Sequence, residues 1–135
     1  METIVWTSAL SVGVDRIDKE HQALVAMLNE VNQAIDSGQG DVAVAGVVGK
    51  MRRYAQEHFR TEESAMTDTR YPARESHMIE HDAFIEKMLD MEQNVGRPGS
   101  VSASEVRDFL RHWLMEHIQG TDKLLGKHIC ASAKG

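Results

Sequence analysis

Seven residues of metal-ligand type fall at helix-repeat spacings within four separate apolar stripes of this chain. They are His21; His58 and Glu62 in HFRTE; His77 and His81 in HMIEH; and His117 and Asp122 in HIQGTD. One such pair would mean little. Imidazoles and carboxylates are costly to bury unless they are paired or bound to metal. Seven of them on inward helix faces call for one shared interior point, with four helices packed around it.

The stripes themselves have the helical period. In the first, Ile17, His21, Leu24, Leu28, Val31 and Ile35 recur at steps of four and three, with Asp15 or Asp18 placed to cap the start and Gly38 and Gly40 to end it. The second runs over about 41–66 through Val44, Val47, Val48, Met51, Ala55, His58, Glu62 and Ala65 or Met66. Gly46 and Gly49 weaken its start and leave room for another helix to come close. The third opens near Pro72, a residue suited to a first helical turn, and continues through His77, His81, Phe84, Met88, Met91 and Val95. GRPG at 96–99 then turns the chain. Ser102 and Glu105 form a capping box for the fourth, whose stripe reads Val106, Phe109 or Leu110, Trp113, His117, Thr121 and Leu124.

These blocks predict an all-α, up-down-up-down four-helix bundle in a single domain over 1–135. Residues 1–14 form an N-terminal arm held by Trp6, Leu10, Val12 and Val14; the bundle spans about 15–128; a small, polar tail over 129–135 frays.

Bulk properties narrow the function. The chain has 135 residues, 41% of them hydrophobic, which suffices for one core. A net charge of −6 with interspersed signs and no basic patch argues against nucleic acid. No basic amphipathic helix or long apolar run addresses a membrane, and the N-terminus does not read as a signal peptide. A single cysteine, Cys130, fits a cytoplasmic location. The polar outer faces favour a monomer.

Residues four apart lie nearly one above the other on a helix, so His77 with His81, and His58 with Glu62, can each address one centre. His117 and Asp122, five apart, diverge on an ideal helix. A π-bulge near Gly120 restores their alignment, and a regular α-helical ladder there removes the idea. Zinc usually takes four ligands, so seven suit it poorly. Six-coordinate iron fits better: five histidines, two bridging carboxylates and a bridging solvent oxygen leave one position open on an iron pair. A histidine-rich pair of this kind favours the ferrous state and reversible ligand binding over aggressive oxidation.

The ordered pattern H…HxxxE…HxxxH…HxxxxD, with IDKEH, HFRTEE, YP before HMIEH and WLMEHI before Asp122, resembles the hemerythrins, and the likeness runs nearly the whole chain. The resemblance implies two iron ions (Fe2+/Fe3+) with a bridging oxo or hydroxo group. It implies that His77, His81 and His117 ligate one iron, that His21 and His58 ligate the other, and that Glu62 and Asp122 bridge. It further implies that O2 is the ligand, with NO or other small molecules as lesser possibilities, and that Leu114 and Ile118 line its pocket.

The remaining histidines have plainer readings. His112 faces solvent, and His128 favours a helix C-terminus. Tyr54 and Trp113 read as packing residues. The favoured function is reversible O2 carriage, storage or delivery without enzymatic turnover. The alternatives are an O2 or redox sensor, and a di-iron enzyme with peroxidase or nitric-oxide chemistry. Bulk metal storage is disfavoured by a closed ligand set.

Overall fold

A computed structural model describes residues 3–94 and 102–134, with the side chains of 41–43 and 134 excepted. After a 3-10 turn at Ser8–Leu10 come α1 (Asp15–Asp36), α2 (Gly40–Asp68), α3 (Arg74–Asn94) and α4 (Ala103–Glu116). A π-helical segment, His117–Asp122, then leads without a break into α5 (Lys123–Lys134). The rod made by α4, the π segment and α5 is the fourth helix of an up-down-up-down bundle. Among the described residues, no helix is long and apolar enough to cross a membrane.

Local chemistry explains the helix ends. Ser102 accepts a hydrogen bond from the Glu105 amide and starts α4, as the capping box predicts. Gly38, at φ +82°, ends α1: its amide donates to the Ile35 carbonyl, and the Gln39 amide to that of Ala34. The same Schellman closure ends α2, but there Arg70 holds the left-handed conformation at φ 56°. That closure occupies the chain through Tyr71, so α3 starts at Arg74 and Pro72 lies in the turn before it. GRPG and Val95 lie outside the described residues.

The core follows the four stripes. Ile17, Leu24, Leu28 and Val31 of α1 meet Val44, Val48, Met51 and Ala55 of α2, Phe84 and Met88 of α3, and Val106, Leu110 and Leu114 of α4. Each fully buried aliphatic or aromatic side chain contributes about 1.5–3 kcal/mol. Of the alternatives left open, Met66 and Leu110 are the buried members, while Phe109 only packs against the core edge. Gly46 faces open space and Gly49 has only ordinary neighbours, so neither admits a close helix.

The fourth stripe departs from its expected course. Thr121 is half-buried and Leu124 is 60% exposed, while Asp122 and Leu125 are buried. The π turn inserts one residue into the α-helical count, and every later position moves round by one.

The arm is held as expected, and by more than apolar contact. Leu10 and Val12 are buried, and Trp6 and Val14 are half-buried. Asn29 of α1 accepts from the Ile4 amide at 3.0 Å and donates to the Ile4 carbonyl at 2.9 Å. Asp18 accepts from the Ser11 hydroxyl at 2.6 Å and the Val12 amide at 2.8 Å. Asp18 therefore reaches back to the arm, whereas the N-cap position of α1 is Val14. Residues 129–134 are helical, and Ile129 packs against the core.

Candidate metal centre

All seven ligand-type residues converge in the bundle interior, each with at most 2% of its surface exposed. Their donor atoms form two overlapping sets, within each of which all atoms lie inside 4.8 Å of one another. One set is Glu62, His77, His81, His117 and Asp122; the other is His21, His58, Glu62 and Asp122.

The two carboxylates divide their oxygens between these sets. Glu62 Oε1 lies 3.0 Å from His77 Nε2 and 2.9 Å from His81 Nε2, and its Oε2 lies 2.9 Å from His58 Nε2. Asp122 Oδ1 lies 3.1 Å from His77 Nε2 and 3.0 Å from His117 Nε2, and its Oδ2 lies 3.0 Å from His21 Nε2. Each carboxylate thus turns one oxygen to the three-histidine group and the other to the pair.

Several of these short distances are not hydrogen bonds. His21 Nε2, His117 Nε2, Glu62 Oε2 and both Asp122 oxygens are buried without a hydrogen-bond partner, because the separations are right and the angles are wrong. Such orphaned groups are rare in a folded interior. The spacing suits ions placed between them. Two donors about 2.1 Å from one ion and at right angles to each other lie roughly 3.0 Å apart. The donor set, five imidazoles and two carboxylates, fits a pair of transition-metal ions.

Three further carboxylates orient the histidines from outside. Glu20 Oε1 is 2.7 Å from His58 Nδ1, Glu63 Oε2 is 3.0 Å from His81 Nδ1, and Glu80 Oε1 is 3.0 Å from His117 Nδ1. Thr61 donates to Glu20, and Thr121 donates to Glu80. A carboxylate can only accept, so each Nδ1 carries a proton, which leaves each Nε2 as the nitrogen that would face a metal. The sequence reading missed all three. The available signal was adjacency: Glu20 precedes His21, Glu63 follows Glu62 and Glu80 precedes His81. Each serves a histidine on the next helix along.

Aromatic rings hold the three-histidine side. Phe59, buried and absent from the expected stripe, stacks on His81 at 3.8 Å and 7°. Trp113, half-buried, stacks on His117 at 4.2 Å and 16°. Its packing role is therefore against a ligand-type ring. Tyr54 packs against the core edge. Leu114 and Ile118 are fully buried on either side of His117.

In the metal-free protein these groups form a tight ionic cluster. Burial disfavours charge on His58 and His77, yet the carboxylates beside them outweigh it and push both pKa values up to about 9. His117 rises to about 10 for the same reason, with Asp122 its main partner. Burial likewise opposes charge on the acids, but the surrounding imidazoles bring Asp122 down to about 2 and hold Glu62 well below the usual carboxylate range.

The spare histidines stay out of the cluster. His112 is exposed beside Glu116, as expected. His128 sits inside α5, away from its C-terminus, and its Nε2–H donates to the Thr69 carbonyl at 2.9 Å. It ties α5 to the end of α2.

Comparison with known proteins agrees with this architecture. The model of the hemerythrin HHE cation-binding domain matches residues 12–129. A bacteriohemerythrin of Stenotrophomonas maltophilia is 31% identical over 97% of this chain and 84% of its own length. One of Pseudomonas aeruginosa is 30% identical over 90% of this chain and 78% of its own. A crystal structure of wild-type hemerythrin superposes with a TM-score of 0.82 at 25% identity, covering 95% of this chain and 98% of that one. With a family model that spans nearly the whole bundle, and the histidine and carboxylate cluster at its centre, the chain belongs to the hemerythrin family.

Proposed function

We propose that this protein binds O2 reversibly, for carriage, storage or delivery, at a pair of iron ions held by the seven clustered residues, and that it does so without catalytic turnover. The observation that carries the reading is the division of oxygens at Glu62 and Asp122, one to each histidine group. His77, His81 and His117, with Glu62 and Asp122, would hold one iron. His21 and His58, with the same two carboxylates, would hold the other. The iron pair would supply the redox capacity for reversible O2 binding.

The chain's own residues account for the rest. Glu62 and Asp122 offset much of the positive charge. Glu20, Glu63 and Glu80 fix three imidazoles in the tautomer that binds metal. Leu114 and Ile118 form an apolar wall that excludes water and protons, which keeps binding reversible. The protein acts in the cytoplasm as a monomer, with neither nucleic acid nor membrane as a partner.

The test is direct. The iron-loaded protein is reduced without air, exposed to air, then freed of oxygen. Visible absorption that appears and disappears over repeated cycles supports the proposal. Irreversible bleaching accompanied by substrate turnover overturns it in favour of an enzyme.

A further inference from the structure

We infer that the groove between α2 and α3 is a docking point for a positively charged one-electron donor that passes electrons to the metal centre by way of His81. The inference rests on the di-iron reading above. The groove encloses about 420 Å3 and reaches His81 from outside the bundle. A volume of this size is typical of ligand-binding clefts.

Its chemistry is two-sided. Phe59, Ile85 and Leu89 make an apolar lining, and Leu89 is 40% exposed. Glu63, Asp82 and Glu86 stand around it with Arg60 as the one opposing charge. An apolar centre ringed by carboxylates complements a partner whose redox edge is apolar and whose surroundings are basic.

Two connections lead from this groove to a ligand-type ring. Phe59 stacks on His81 at 3.8 Å, and Glu63, with 28% of its side chain exposed, lies 3.0 Å from His81 Nδ1. Neither Glu20 nor Glu80, the corresponding groups on the other histidines, lines the groove. A donor seated there comes close to an imidazole without displacing its inward Nε2. Each donor molecule is oxidised by one electron, and two in succession return a ferric pair to the ferrous state. No covalent bond in the chain forms or breaks. The role is reductive: the groove would keep the metal centre in its ferrous state.

The experiment uses oxidised, iron-loaded protein and a basic c-type cytochrome as probe. Binding is measured by calorimetry with the redox-inert zinc-substituted cytochrome, and reduction by stopped flow with the ferrous form. The D82K/E86K variant is compared with E105K/D108K on α4, which carries the same change of charge outside the groove. The groove variant is expected to weaken binding and slow reduction at low salt by about tenfold, while the α4 variant stays near wild type. Reduction by a small uncharged reductant stays unchanged in all three, which shows the centre intact. Equal losses in both variants, or no loss in either, would overturn the docking site. Retained binding without electron transfer would overturn the delivery role. Iron content, measured separately, tells either failure from a failure of the di-iron reading.

Discussion

His117 and Asp122 stand five positions apart, yet Nε2 of one lies 3.0 Å from Oδ1 of the other. On a regular α-helix, residues at that interval point about 140° apart. The π-helical segment His117–Asp122 closes the gap by taking up one extra residue. It also lets one rod bring both side chains into the buried cluster.

Removal of that extra residue tests the point. Deletion of Gly120, whose Cβ position faces open space, restores an α-helical count and turns Asp122 away from His117. The variant is expected to keep its helix content by circular dichroism and to hold fewer than two irons per chain. A full complement of iron would show that the π segment is dispensable.

The outer carboxylates act through the histidines. Glu80→Gln keeps the shape but weakens the acceptor for His117 Nδ1 and for Thr121. Metal affinity is expected to fall about 10–100-fold, as read by competition with a chelator. Glu75→Gln, on the exposed first turn of α3, serves as the control and is expected to change nothing.

The ionic cluster gives the metal-free protein a defined pH profile. His58 and His77 at about 9, and His117 at about 10, lie above their ordinary value. Their contribution to stability is therefore complete below about pH 6.5 and fades as pH rises through 9 to 10. Asp122, lowered to about 2, contributes above about pH 4 and loses that contribution as pH falls through 2. Denaturant midpoints of metal-free protein are expected to peak between these limits, at mildly acidic pH. Metal requires neutral imidazole, so iron binding at pH 7 releases protons. Calorimetry in buffers of different ionisation enthalpy reads that release, and its absence would contradict the charge states.

The arm is set by a close backbone approach. A Cβ at Gly126 would stand 2.0 Å from the Val12 carbonyl oxygen. Gly126→Ala is expected to cost about 1–3 kcal/mol and to open residues 1–14 to limited proteolysis. Unchanged stability with a protected arm would show that the arm adjusts freely.

Leu114 tests the apolar wall. Leu114→Ser adds a hydroxyl beside His117 in a fully buried position. The oxygen-dependent absorption is expected to form and then to decay irreversibly several-fold faster than in wild type. An equal decay rate would place the wall elsewhere.

Much of the fold was legible because burial imposes a period. The stripes through His21, His58 and His81 hold as far as the described residues run, since nothing interrupts the α-helical count in α1 to α3. The fourth stripe fails after His117 because periodicity cannot follow an inserted residue, so Leu125 takes the buried place expected of Leu124. The five-residue interval between His117 and Asp122 was the warning, and it pointed to Gly120 correctly. Glu20, Glu63 and Glu80 were illegible for another reason. They sit at partly exposed positions, where an acid that orients a buried ring and one that meets only water have the same spacing. Phe59 escaped because it lies one step off the stripe that carries His58, at a position that the packing of α3 and α4 against α2 encloses.

Elemental analysis of iron-reconstituted protein, run alongside Glu62→Ala and Asp122→Ala, tests the central claim most directly. Two irons per wild-type chain, with loss of bound iron in both variants, is the predicted result. One iron or fewer in the wild type, or variants that retain both, would contradict a shared pair of bridging carboxylates.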